Sequence, residues 1–95
     1  MAKQNQKNSR QATIINDFGL HARSAARIAD IAQNSIGNVW IEKDHEKADA
    51  SSIIDLLTLV CAKGAQITII IDDPVDLPIL EAIADLVDSG FGEKQ

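Results

Sequence analysis

The chain has 95 residues, of which 45% are hydrophobic and 24% are charged, and its formal net charge at pH 7 is −5. This length and composition fit one globular domain. The acidic balance argues against nucleic-acid binding, which requires clustered lysine and arginine, and no apolar run approaches the about 20 residues of a membrane span. The single cysteine, Cys61, excludes an internal disulfide and a cysteine-rich metal site, and it favours a reducing cytoplasm.

The N-terminal part of the chain divides into a polar segment and two predicted elements. Residues 1–10 are polar and lack the apolar stretch of a signal peptide, so we expect a disordered tail there and a single domain over residues 11–95. The β-branched residues of 12–16 predict the first strand, which the sequence DFG ends. Apolar residues at helical spacing then predict a helix from Ala22 to about Gln33.

A hairpin is predicted next. Residues 38–43 alternate polar and apolar side chains, as in a half-buried strand, and residues 47–50 form a short return strand. The sequence DHEK between them is a turn, so His45 is expected to be solvated there rather than part of a site.

The second predicted helix begins after a serine. Ser51 or Ser52 is a suitable N-cap, because a serine hydroxyl accepts a hydrogen bond from a free N–H of the first turn. An apolar stripe continues to Val60, and Lys63-Gly64 provides a C-terminal cation and a left-handed stop. Cys61 falls inside this helix and is expected to be a small buried apolar residue.

The C-terminal part completes the predicted fold. Residues 65–71 predict a strand, a loop with Asp72 and Asp73 follows, and the last helix is expected from about Asp76 to about Ser89. The order β-α-β-β-α-β-α predicts an α+β fold. It is a two-layer open-faced sandwich, in which three helices cover one face of a four-stranded antiparallel sheet.

Trp40 is expected on the sheet face away from the helices, since Val39 and Ile41 then face the helices. By the same alternation, Ile15 and Ile70 lie on the face of Trp40. Two interpretations stay open for these three residues. They form a local cluster that shields the sheet, or a surface for weak self-association of a mostly monomeric protein.

The candidate site lies in DFGLHARSAARIADIA, residues 17–32. A helix N-terminus offers free N–H donors and the positive end of the helix dipole, both of which favour anions. His21 at the N-cap places a nucleophilic imidazole beside these donors, Arg23 has the fork geometry for phosphate oxygens, and Gly19 permits the turn. No water-activating triad is evident, so the stretch predicts a phosphate carrier rather than a hydrolase. The alternative is a solvated helix start.

Three stretches of the sequence resemble those of a known family. GLHARSA resembles the active-site signature of HPr, the histidine-containing phosphocarrier of the bacterial sugar phosphotransferase system. SSIIDLLTLVCAKGAQITI resembles the second HPr signature, SGFGE resembles the usual C-terminal ending, and the resemblance covers about residues 11–93. It implies a protein that accepts a phosphoryl group from phospho-enzyme I on Nδ1 of His21. The phosphoryl group then passes to sugar-specific acceptor proteins, and no cofactor or metal is needed.

The resemblance also implies roles for other residues. Arg23 matches the arginine that stabilises the phosphoryl group, and Ser52 matches the serine that HPr kinase phosphorylates, with Ser51 as a neighbouring competitor. The residues that match or adjoin the apolar surface for enzyme I and the acceptors are Leu20, Ile53, Ile54 and Leu57.

The sequence departs from the HPr pattern at two positions near these sites. Ser24 stands where most HPr proteins have proline, and it adds an amide donor and a hydroxyl at the helix start, so phosphate binding is expected to survive or strengthen. Asp55 follows Ser52 by three residues and would repel a phosphoserine. An alternative function is therefore a regulatory HPr-like protein that signals in an incomplete pathway without sugar transport.

Overall fold

A computed structural model describes residues 8–93 of the chain. It contains a four-stranded sheet in the order β1-β4-β2-β3, in which all three neighbouring pairs are antiparallel. The strands and helices, in chain order, are β1 (Ser9–Thr13), α1 (Ala22–Ala32), β2 (Val39–Lys43), β3 (Glu46–Asp49), α2 (Ile53–Leu57), β4 (Gln66–Ile71) and α3 (Leu77–Asp88).

The core lies between the sheet and the helices, which confirms the predicted α+β sandwich. Val39 and Ile41 of β2 are buried, as the alternation predicts, and Ile69 lies beside Ile41 on β4. Helix α3 packs on β1 and β4, and α1 packs against α2 and α3. Each fully buried Ile contributes about 1.5–3 kcal/mol relative to an exposed one, so these strands fix the scaffold that holds the start of α1.

Strand β1 begins and ends earlier than the sequence predicts. It includes Ser9 and Arg10, which were expected in the polar tail, while residues 1–7 of that tail lie outside the described residues. Polar side chains are compatible with this strand because it is at the sheet edge, and its backbone pairs with β4 from Ser9–Ile70 to Thr13–Gln66.

Helix α2 is much shorter than predicted and ends at Leu57. The Thr58 hydroxyl donates to the Asp55 carbonyl at 2.6 Å, and Val60 has a φ of +53°, which takes the chain out of the helix. Cys61 is buried as expected, although it lies after the helix and not within it, and this burial raises the pKa of its thiol.

The cation at the end of α2 is Lys43 and not Lys63. Lys43 Nζ donates to the carbonyls of Leu59 and Val60, which is the role that the sequence suggested for Lys63. Lys63 instead pairs with Asp17 at 2.7 Å.

The predicted cluster of Trp40 with Ile15 and Ile70 is only partly correct. Ile70 is directly opposite Trp40, but β1 ends before Ile15, so the β1 residue opposite Ile70 is Ser9. The Trp40 ring lies 5.3 Å from Lys47 Nζ, and its Nε1 donates to Asp72 at 3.2 Å. These contacts favour a local cluster that shields the sheet.

Candidate functional site

A tight turn brings the chain from β1 to α1. Gly19 has a φ of +65°, its N–H donates to the Asn16 carbonyl at 3.1 Å, and the next amide, of Leu20, donates to Cys61 O at 2.8 Å. A Cβ added at Gly19 would lie 2.5 Å from Cys61 O, so only glycine fits this close approach. The turn places the following residue, His21, at the start of α1.

His21 is the N-cap of α1, as the sequence predicts. Its backbone is extended, and its Nδ1 accepts a hydrogen bond from the Arg23 N–H at 3.3 Å. The Ser24 hydroxyl accepts from the His21 N–H at 2.9 Å, while the Ala25 N–H donates to the His21 carbonyl at 2.8 Å. One ring nitrogen therefore faces the amides of the first turn, where the helix dipole favours negative charge.

The other ring nitrogen contacts a carboxylate from the far end of the chain. His21 Nε2 lies 2.7 Å from Glu93 Oε2, and Glu93 Oε1 accepts from Asn16 Nδ2 at 2.9 Å. Glu93 reaches this position because Phe91 is buried in the core and its carbonyl accepts a hydrogen bond from Arg27 of α1. The hydrogen bonds from Asn16 and from His21 lower the pKa of the Glu93 carboxyl from its ordinary value of 4.5.

This arrangement assigns different roles to the two ring nitrogens. An ionised carboxylate can only accept hydrogen bonds, so in the neutral ring the proton resides on Nε2, against Glu93. Nδ1 then carries the lone pair and points to the start of α1. The ring nitrogen with the free lone pair is thus the one beside the amides of the first turn.

The lowered pKa of Glu93 predicts a pH-dependent stability. The folded carboxyl has a lower pKa than the unfolded one, so its stabilising contribution is present above about pH 4.5 and is lost as the pH falls through the folded value. We expect the wild type to be more stable than Glu93→Ala at pH 7, with the difference shrinking below pH 4.5. Urea unfolding of both proteins from pH 7 to pH 3 measures this difference in stability. A difference that stays constant over this range would contradict a stabilising role for the ionised Glu93 carboxylate.

Arg23 and Phe18 form the open side of the site. With His21 they line a surface cavity of about 330 Å³. Phe18 is 75% exposed, and its ring meets the imidazole edge-on at 5.9 Å between centroids. The Arg23 guanidinium has no hydrogen bond or ion pair with any residue in the range 8–93, so it is available to an incoming anion.

The Ser24 side chain caps the start of α1. It is fully buried, and its hydroxyl bonds back to the turn, to the carbonyls of Gly19 and His21, rather than facing the phosphate side. The hydroxyl therefore caps the helix start, and the expectation that phosphate binding survives or strengthens with Ser24 stays a prediction.

The capping role of Ser24 can be measured. Ser24→Ala leaves the His21 N–H without its acceptor, so we expect the free energy of unfolding to fall by about 1 kcal/mol. Chemical denaturation measures this change. An unchanged midpoint would show that the hydroxyl does not stabilise the helix start.

The predicted docking residues fall into two groups. Leu20 is only 9% exposed and belongs to the core, so its side chain is not available to a partner in this structure. Ile53 and Ile54 are exposed at the start of α2, with Ile54 at 76%, and Leu57 is half-buried. Ser52 is the N-cap of α2 and accepts from the Asp55 N–H at 3.2 Å, whereas Ser51 pairs with Asp49.

Sequence reasoning missed four residues of this region. Asn16 was assigned to a strand, Phe18 only to a chain break, Val60 to an apolar helix stripe, and Glu93 only to a C-terminal motif. Glu93 is 72 positions from His21, so no local pattern links them. Val60 is 74% exposed.

Comparisons with known proteins identify the family of the chain. Residues 8–89 match the PTS-HPr family model, described as the PTS HPr component phosphorylation site. The chain belongs to the HPr family of phosphocarrier proteins.

Relatives of this HPr-family chain carry two names. It is 33% identical over 84 residues to phosphocarrier protein HPr of Cupriavidus necator, which covers 88% of the chain and 94% of the relative. It is 38% identical over 87 residues to phosphocarrier protein NPr of Shewanella violacea, covering 92% and 96%. The crystal structure of HPr-C-His from Thermoanaerobacter tengcongensis superposes with a TM-score of 0.85 at 31% identity, covering 92% of this chain and 98% of that one.

Residues 8–93 hold neither a membrane-spanning helix nor a cluster of metal ligands. None of the helices there has the length and apolar character needed to cross a membrane. Within the same range, no group of three or more His, Cys, Asp or Glu side chains is placed to hold a metal ion.

Proposed function

We propose that this protein accepts a phosphoryl group from phospho-enzyme I on Nδ1 of His21 and passes it to an acceptor protein of the phosphotransferase system. The observation that carries the proposal is that the two ring nitrogens of His21 have different partners. Nε2 contacts the Glu93 carboxylate, while Nδ1 faces the first turn of α1. Membership of the HPr family supports a phosphocarrier in general. The single cysteine, Cys61, is a free thiol, which suits the cytoplasmic location that we propose with it.

The proposed transfer uses the residues around His21 in fixed roles. The Nδ1 lone pair attacks phosphorus, and the N–P bond forms as the bond from phosphorus to the donor breaks, its electron pair leaving with the donor. The Nε2 proton stays on the ring, and the positive charge that the ring gains faces the Glu93 carboxylate. Arg23 and the amides of the first turn stabilise the phosphoryl oxygens, and the docked partner supplies alignment.

Partner docking is proposed for the exposed apolar side chains near this site. Phe18 contacts His21, and α2, which carries Ile53 and Ile54, packs against α1. A small apolar surface of this kind suits weak and reversible binding, which a carrier needs because it must release the donor before it meets the acceptor.

The direct test is phosphorylation with defined components. The wild type is incubated with phosphoenolpyruvate and enzyme I, and its intact mass is measured before and after acid treatment. We expect a gain of one acid-labile phosphoryl group, absent in His21→Ala. No gain in mass, with an enzyme I preparation that phosphorylates a known HPr, would contradict the proposal.

Regulation at Ser52 is a second part of the proposal. The side chain is half-buried at the N-cap of α2, and the Asp55 side chain lies one turn away on the same short helix. We expect ATP-dependent HPr kinase to label the wild type and Ser51→Ala but not Ser52→Ala. We also expect Asp55→Gly to be labelled faster, because the repelling carboxylate is removed. Labelling that persists in Ser52→Ala would contradict the assignment.

A regulatory HPr-like protein is the second candidate function, and the similarity to NPr as well as HPr favours it. Such a protein would carry the phosphoryl group on His21 but would not deliver it to sugar-specific acceptors. Transfer from the phosphorylated protein to a panel of sugar-specific acceptor domains separates the two. Rapid transfer supports the sugar carrier, and retention of the phosphoryl group supports the regulator.

A further inference from the structure

We propose that Asn16 is a positioning residue for phosphoryl transfer: its side-chain amide holds the Glu93 carboxylate against Nε2 of His21 and thereby keeps the lone pair on Nδ1. The inference rests on the proposed function of His21. It rests on a continuous set of hydrogen bonds, in which Asn16 Nδ2 donates to Glu93 Oε1 at 2.9 Å and Glu93 Oε2 lies 2.7 Å from His21 Nε2.

The orientation of the Asn16 amide is fixed by its surroundings. The side chain is 0% exposed, and Nδ2 also donates to the Gly19 carbonyl at 2.8 Å. Both partners of Nδ2 are acceptors only, so the flipped amide would place an oxygen against two oxygens. The orientation with two satisfied hydrogens leaves Oδ1 buried without a partner among residues 8–93.

Glu93 depends on such an anchor. Its backbone is held by one turn, in which its N–H donates to the Gly90 carbonyl at 3.0 Å, and its side chain is long and has several rotatable bonds. Asn16 is buried at the start of the turn that precedes α1, and its side chain and its carbonyl both bond to Gly19 across that turn. A buried amide thus converts a flexible carboxylate into a fixed acceptor for the Nε2 proton, as an orienting group does for a catalytic histidine.

The Asn16 amide also determines how the side chain of an uncharged residue at position 93 would be oriented. In Glu93→Gln, the side-chain oxygen must face Asn16 Nδ2, so the side-chain NH₂ group must face His21 Nε2. Nε2 would then accept rather than donate, and the ring proton would move to Nδ1, because the 2.7 Å contact at Nε2 outweighs the longer hydrogen bond, 3.3 Å, that Nδ1 accepts from the Arg23 N–H and would lose. This inversion requires Asn16, because without that donor the glutamine amide can turn around.

The test combines three variants with two measurements: the ¹⁵N shifts of the neutral His21 ring, which report the tautomer, and the rate of transfer from phospho-enzyme I. Asn16→Ser retains a hydroxyl near the Gly19 carbonyl but is too short to reach Glu93. We expect Nε2–H in the wild type, a mixture of tautomers with severalfold slower transfer in Asn16→Ser, and Nδ1–H with about tenfold or slower transfer in Glu93→Gln. The double variant is expected to regain part of the Nε2–H form.

A Glu93→Gln ring that keeps its proton on Nε2 would overturn the proposal, as would an Asn16→Ser ring with the wild-type tautomer and rate. If Asn16→Ser does not fold, Glu93→Gln alone decides, because it leaves the buried turn intact. The tautomers are measured in the unphosphorylated protein. A wild type that is not phosphorylated would therefore refute the proposed function without affecting the result on Asn16.

Discussion

Arg23→Ala is expected to slow phosphoryl transfer to His21 by about 10- to 100-fold. The guanidinium is exposed beside the imidazole and makes no hydrogen bond or ion pair among the described residues, so we expect it to bind the phosphoryl oxygens. The backbone N–H of Arg23 itself donates to His21 Nδ1, so we expect its guanidinium and its amide to contact the same phosphoryl group. Rapid-quench measurement of transfer from phospho-enzyme I gives the rate.

Two matched variants show whether the Arg23 effect is local. Arg23→Lys retains the charge but not the two-pronged geometry, and we expect an intermediate rate. Arg10→Ala changes the net charge equally but affects an arginine of β1 that pairs with Asp88 at 3.2 Å and does not line the cavity beside His21, and we expect the wild-type rate. Equal slowing in Arg10→Ala and Arg23→Ala would mean that net charge, and not phosphate binding, explains the effect.

Gly19→Ala is expected to lower the free energy of unfolding by about 3 kcal/mol. An L-residue in the left-handed region costs about 1–2 kcal/mol, and the added Cβ would lie 2.5 Å from Cys61 O, an overpacking that costs about 1–3 kcal/mol more. Because the turn places His21 at the helix start, the folded fraction should also transfer phosphate more slowly. Urea denaturation measures the stability.

Gly64→Ala is the control for this prediction. Gly64 has a φ of +94°, but an added Cβ there would meet nothing within 4 Å, so only the backbone term of about 1–2 kcal/mol applies. The difference between the two variants isolates the close approach of Gly19 to the Cys61 carbonyl. Equal destabilisation in both would show that this approach does not restrict the residue at position 19.

Local sequence patterns predicted the sheet and the start of α1 because both depend on local periodicity. Val39 and Ile41 are buried and alternate with less buried neighbours, and the helix stripe that includes Ile28 follows a period of 3.6 residues, so burial of one face decides the structure. The end of α2 could not be predicted in this way. It depends on the Thr58 hydroxyl and on Lys43, which binds carbonyls 16 and 17 positions away.

The candidate site was predictable only as far as its local part. His21 and Arg23 lie within one helical turn, and their chemistry is evident from residue type and spacing. The contacts of Glu93 with His21 and Asn16 span 72 and 77 positions, and they exist only because the core places the C-terminal segment beside the start of α1. The direction of the Ser24 hydroxyl was not predictable, because it depends on the turn at Gly19.

The position of the phosphoryl group on the His21 ring tests the central claim most directly. The protein is labelled with ¹⁵N in its histidine rings, phosphorylated by phospho-enzyme I, and examined by NMR for coupling between ³¹P and each ring nitrogen. We predict coupling to Nδ1 of His21, because Glu93 occupies Nε2 and the helix amides face Nδ1. A phosphoryl group on Nε2, or on any other residue, would contradict this account.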